Sequence, residues 1–156
     1  MIQLIPVRGI PEVQPGAPLG RRIADAIVRC GQILESGDIL VVAQKVVSKA
    51  EGRIVQLADV VPSEFAMRIA ERQSGRDARV VEVVLRETKR IVRMDQGVLI
   101  AETTHGFVCA NAGVDLSNVD GGASVSLLPL DPDGSAARLA EEIKLITGIE
   151  VGIVVS

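Results

Sequence analysis

The sequence contains no Trp, no Tyr and two Phe, Phe65 and Phe107. Single-stranded nucleic acid is held on aromatic platforms along a basic groove. With aromatics scarce and a formal net charge of -3, no nucleic-acid partner is expected. One histidine, His105, is too few for a histidine-rich zinc site. Cys30 and Cys109 make neither a metal motif nor a disulfide framework, and both read as reduced small hydrophobes. No apolar run approaches the length of a membrane span, so no membrane association is expected. The start, Met1 to Pro6, lacks the charged region and cleavage site of a signal peptide, and the expected address is cytoplasmic.

Aliphatic residues are abundant. Apolar types make up 47% of 156 residues, mostly Val, Ile, Leu and Ala, which suits one domain, 1–156, with a real core. Ile2 to Val7 reads as a short strand. Leu19, Ile23, Ile27 and Cys30 fall at helical spacing. Ile39 to Ala43 reads as a buried strand running into a helix over Gln44–Ala50, and Ile54–Leu57 as a further strand. Pro62-Ser63 starts a helix bearing Phe65, Ala66, Ile69 and Ala70, with Gly75 as its stop. A second helix is predicted from Asp77 to about Lys89. Ile91–Arg93 and Val98–Glu102 read as strands, the latter joined to Phe107–Ala110 by a hairpin turn over Thr103–Gly106. A strand is placed near Ser124–Leu128. Leu130-Asp131-Pro132-Asp133-Gly134-Ser135 is turn and N-cap material opening a helix that Gly148 closes, followed by a strand over Val151–Val155. The hairpin argues against a purely doubly wound fold. The fold class is α+β, with a mixed or antiparallel sheet and packed helices.

Three segments bear chemistry. In Asn111-Ala112-Gly113, small side chains and residues that tolerate positive φ let a ligand approach the backbone. Asp115, Ser117 and Asn118 then bring a carboxylate, a hydroxyl and a carboxamide, hard oxygen groups suited to a divalent cation beside a phosphate. An ordinary Asx loop is the alternative. Lys45 and Lys49, at i,i+4, share a helix face that an anion would neutralise. The alternative is a solvated face with Glu51 as partner. Gly9-Ile10-Pro11-Glu12-Val13 is a rigid loop that could line a base or ribose pocket, or a plain turn. Neither of the common phosphate-loop motifs occurs. His105 reads as a polar residue at a hairpin tip.

Taken in order, Gly9-Ile10-Pro11, the run Gly37-Asp38 to Gly52-Arg53, the run His105-Gly106 to Val114-Asp115, Ser117-Asn118 and Leu130 to Ala136 resemble the coenzyme F-420-0 gamma-glutamyl ligases. The resemblance implies a GTP-dependent ligase in coenzyme F-420 biosynthesis, adding L-glutamate to deazaflavin coenzyme F-420-0 as a gamma-glutamyl amide. The implied route runs through an acyl phosphate, with Mn2+ or Mg2+ as the divalent metal. It implies nucleotide contacts at Ile10, Pro11, Glu12, Val13, Gln44, Lys45, Lys49 and Asn118, and a metal ligand at Asp115. No catalytic residue is assigned. In the family, the strand matching Val151–Ser156 leads into an Asp-Thr pair of further metal ligands and a second half of the nucleotide site. The expectation is therefore the N-terminal portion of a larger ligase fold, homodimeric at full length. A fragment that binds guanine nucleotide weakly, or only serves as a folded scaffold, is the alternative.

Overall fold

Leu19, Ile23 and Ile27 recur every four residues, and the helix they predict is present as α1 (Leu19–Arg29). The computed structural model describes residues 2–73, 75–95, 98–116 and 122–156. It falls into two compact units, residues 1–52 with 131–156, and residues 53–130.

In the first unit, α1 packs on α5 (Pro132–Thr147). Asp131 caps α5 by accepting the Gly134 N–H at 2.9 Å, Pro132 occupies the first turn, and Gly148, at φ 75°, closes it. The α1–α5 crossing is close at Gly20, where a Cβ would lie 2.8 Å from that of Glu142. Pro18 caps α1 without a side-chain acceptor, and the Glu142 carboxylate accepts the Gly20 N–H at 3.1 Å instead. Beneath these helices β1 (Ile39–Val42) runs parallel to β7 (Gly152–Val155), pairing Leu40 with Ile153 and Val42 with Val155. These four side chains join Ile23, Ile27, Leu139 and Ile143 in one core. The predicted buried strand is half right. Period-two alternation turns Ile39 and Val41 outward, 66% and 65% exposed. Helix α2 (Gln44–Ala50) follows directly. The strand predicted over Ile2–Val7 is absent. Among the described residues no strand pairs with the segment, Pro6 offers no N–H, and Ile2 and Leu4 stand exposed.

In the second unit, β2 (Ile54–Gln56) and β6 (Ser124–Ser126) pair antiparallel. Helix α3 (Glu64–Arg72) is capped by Ser63, and α4 (Ala78–Arg86) by Asp77. The meander β3 (Thr88–Asp95), β4 (Val98–Thr103) and β5 (Val108–Ala110) is antiparallel. The predicted hairpin is there, with Ala101 opposite Cys109 and the Gly106 N–H bonded to Thr103 O. Helix α4 stops three residues earlier than predicted. The Thr88 hydroxyl donates to Val84 O at 2.6 Å, and the β-branched residue starts β3. Val80, Val83 and Val84 enter a core with Leu99, Ala101, Val114 and Val125, while Val81 packs on Ala66 and Ile69 of α3. The architecture is α+β with parallel and antiparallel pairs, as expected. Among the described residues no helix is long and apolar enough to cross a membrane.

Ile143 is fully buried, and Ile143→Ala should cost about 2–5 kcal/mol in denaturant unfolding. Exposed Leu145→Ala should stay within about 0.5 kcal/mol. The Ser63 N–H, donated at 3.0 Å, holds the Glu82 carboxyl below its ordinary value. Its folded pKa is depressed, so its contribution is full above the ordinary 4.5 and disappears as pH falls below it. Glu82→Gln should flatten the stability–pH curve in that acid range and leave its shape near neutrality unchanged.

Candidate functional site

The loop over residues 9–13 has no repeating backbone structure, yet it is well anchored. Gly9 takes a positive φ of 77°, and Val13 buries its side chain in the first unit's core, with Ile10 packed at its margin. Two arginines of α1 hold its carbonyls: Arg22 donates to Glu12 O at 2.9 Å and Arg29 to Gly9 O at 3.3 Å. Neither arginine was singled out from the sequence. Their i,i+7 spacing, which puts both on one helix face, was the available signal.

Helix α2 presents Lys45 and Lys49 one turn apart, as their spacing predicted. Lys49 forms an ion pair with Glu12, 37 residues earlier. Its side chain is mostly buried, while that of Glu12 is largely exposed. The expectation of Glu51 as partner of the lysine face gives way to another arrangement. Glu51 accepts from the buried Ser135 hydroxyl and from Arg138, the latter at 3.0 Å. These groups line a cleft of about 210 Å³ with Gly16, Leu19 and Glu142, and their polar atoms are bonded to one another. At the start of α2, Gln44 donates its side-chain amide to Ser48 Oγ at 2.6 Å, and its N–H goes to Ser156 O. That N–H is thus engaged by the chain itself. The first unit therefore brings Ile10, Pro11, Glu12 and Val13 to Lys49, with Gln44 and Lys45 on the same short helix. A carboxylate occupies the ammonium group that a phosphate would seek.

In the second unit the chain turns sharply after β5. Asn111, Ala112 and Gly113 take φ of 52°, 50° and 73°, three successive left-handed residues. The sequence anticipated this for Asn and Gly. Ala112 was not anticipated, and its buried methyl in the core accounts for its place there. Arg76 donates to Asn111 Oδ1 at 3.0 Å, and partial burial lowers the pKa of its guanidinium from the ordinary value. Asp115 exchanges two backbone hydrogen bonds with Ser126, both 2.9 Å, and is half-buried. Alternation sends Val114 into the core and Asp115 to the opposite face, beside Ser126. Ser117 and Asn118 lie outside the described residues. Among the described residues no three His, Cys, Asp or Glu side chains gather as a metal site. His105 sits at the hairpin tip, stacked on Phe107 and bonded through Nε2 to Leu130 O.

A family model described as F420-0:Gamma-glutamyl ligase matches residues 9–156. The chain is similar to a coenzyme F420:L-glutamate ligase of Methanothermobacter thermautotrophicus, 44% identical over 99% of this chain and 61% of that protein. A namesake from Methanopyrus kandleri is 44% identical over 99% of this chain and 59% of its own length. A third, from Archaeoglobus fulgidus, is 41% identical over the same shares. The chain thus spans about three-fifths of the length of these relatives.

A Cβ on Gly113 would lie 2.7 Å from Leu128 Cγ, at a φ that already disfavours a side chain. Gly113→Ala should cost about 1–3 kcal/mol from backbone strain, plus the clash, read as a lowered Tm. Gly106→Ala, at φ 87° with open space around it, should lower Tm less.

Proposed function

This chain belongs to the F420-0:gamma-glutamyl ligase family, and on that premise we propose that it carries a guanine-nucleotide site for forming a gamma-glutamyl amide. The proposed reaction adds L-glutamate to the free carboxylate of deazaflavin coenzyme F-420-0 at the expense of GTP. A carboxylate oxygen bonds to the γ-phosphorus as the bond to the β-phosphate oxygen breaks, releasing GDP. The glutamate amine then attacks the acyl carbon, the C–O bond to phosphate breaks, and the amine gives up a proton as the amide forms. Such transfers depend mostly on positioning and on neutralising phosphate charge.

The supporting observation is the contact between Lys49 and Glu12, which seats the 10–13 loop on α2. Nucleotide phosphates would replace the Glu12 carboxylate as the anion facing Lys49, with Lys45 one turn away. The backbone of Ile10 to Val13, held by Arg22 and Arg29, would take the base or ribose. Gln44 and Asn118 complete the proposed contacts, and no residue is assigned as a proton acceptor. Asp115 is the proposed ligand of Mn2+ or Mg2+. A single carboxylate fits an ion that keeps several waters and binds mainly to substrate phosphates. When bound, that ion would screen the triphosphate charge.

A second reading, nucleotide binding without turnover, has one observation in its favour: among the described residues Asp115 belongs to no cluster of three metal-binding groups.

Titration calorimetry with GTP should give heat that requires Mn2+ and is absent with ATP. The heat should vanish in Asp115→Ala, and affinity should fall about ten- to a hundredfold in Lys49→Ala, the worth of a charged hydrogen bond. Equal heats with ATP, or none with either, would contradict the proposal. Adding the deazaflavin acid and L-glutamate separates the readings: a mass gain of one glutamyl residue means ligation, and binding without that gain means the second.

A further inference from the structure

Buried hydroxyls in this protein have partners. Ser48 Oγ accepts from Gln44, Thr103 Oγ1 accepts the Phe107 N–H at 3.2 Å, and Ser135 Oγ donates to Glu51 and accepts from Arg138 at 2.9 Å. Ser126 departs from this pattern. It is 0% exposed, and its Oγ has no hydrogen-bond partner among the described residues. A hydroxyl left unsatisfied away from water is costly, so one kept at such a place calls for an explanation.

Its position supplies one. Ser126 and Asp115 are directly opposite in an antiparallel bridge and exchange both backbone hydrogen bonds. Residues paired in this way point to the same side of the sheet, with Cβ atoms about 4.5–5.5 Å apart. Val125 and Val114, each one position away, both go into the core. The orphaned hydroxyl and the carboxylate therefore share the opposite face. The turn through Asn111, Ala112 and Gly113, braced by Arg76, fixes where that face begins.

We infer that Ser126 is a second oxygen donor of the Asp115 site, its hydroxyl completing the shell around a divalent cation held by the carboxylate, directly or through one of the cation's waters. The inference rests on the reading of Asp115 as a metal ligand. Chemically, a neutral hydroxyl beside one carboxylate is a familiar donor for such an ion, as in phosphate-loop proteins, where a Ser or Thr hydroxyl meets Mg2+. It adds an oxygen without adding charge, leaving the cation free to neutralise phosphate. Among the described residues no group saturates the Ser126 hydroxyl, which is what a donor reserved for a ligand requires.

Mn2+ binding to the 156-residue chain, followed by electron paramagnetic resonance without nucleotide, tests this together with Tm. Ser126→Ala should weaken Mn2+ binding about tenfold or more. It should leave the metal-free Tm unchanged or raised, because the hydroxyl it removes is unpaired. The Mn2+-induced rise in Tm should shrink in parallel. Ser48→Ala, which removes a satisfied hydroxyl, should lower Tm and leave Mn2+ affinity alone. Ser126→Ala with the parent's Mn2+ affinity would overturn the inference, as would a fall in metal-free Tm without change in affinity. Asp115→Ala retaining the parent's Mn2+ affinity would instead overturn the metal reading of Asp115 itself, and this inference with it.

Discussion

The parallel ladder between β1 and β7 is the constraint on which the first unit depends. It joins Ile39–Val42 to Gly152–Val155 across more than half the chain. Parallel pairing cannot be closed by a tight turn and needs a long crossover, so its loop-closure entropy is offset only when the core above it forms. That core is α1 and α5, meeting where Gly20 lets the backbone approach Glu142. The ladder also sets the start of α2, since Ser156 N–H bonds to Val42 O and Gln44 N–H to Ser156 O. A seven-residue helix is marginal by itself. Lys45 and Lys49 are therefore placed by strand pairing and by Val47 in the core more than by local propensity.

The second unit organises its candidate site through a strained turn. Two non-glycine residues at positive φ cost on the order of 1–3 kcal/mol each and persist only where their surroundings enforce them. Here Ala112 and Val114 are packed into the core, Arg76 holds Asn111, and the Asp115–Ser126 bridge fixes the exit. Alternation does the rest, dividing valines from the carboxylate and hydroxyl. The first unit's site is made in another way, from a loop pinned by arginines and an ion pair that keeps a lysine neutralised.

Much of this was legible in the sequence wherever the determining contacts are local. Periodicity located α1 and α3, the Asp-Pro-Asp-Gly segment located α5, and the Thr103–Gly106 turn located the β4–β5 hairpin. The errors arise where partners decide. Ile2–Val7 has strand composition but, among the described residues, no strand to pair with, and β1 is apolar on both faces while burying one. The Glu12–Lys49 pair spans 37 residues, so neighbouring Glu51 looked the better partner. Arg22, Arg29 and Arg76 act at loop atoms far along the chain and carry no local signature. Ser126 was hidden for a related reason: a serine in the Ser124-Val125-Ser126 strand reveals nothing until its opposite residue is known to be Asp115.

Amide-resolved NMR of the labelled chain tests the location of the proposed site most directly. With GTP present, the amides of Ile10, Glu12, Val13, Lys45 and Lys49 should shift. Substoichiometric Mn2+ should broaden the amides around Asp115 and Ser126 before any others. Shifts gathered instead around Gly16, Glu51 and Arg138, or broadening centred away from Asp115, would contradict the account.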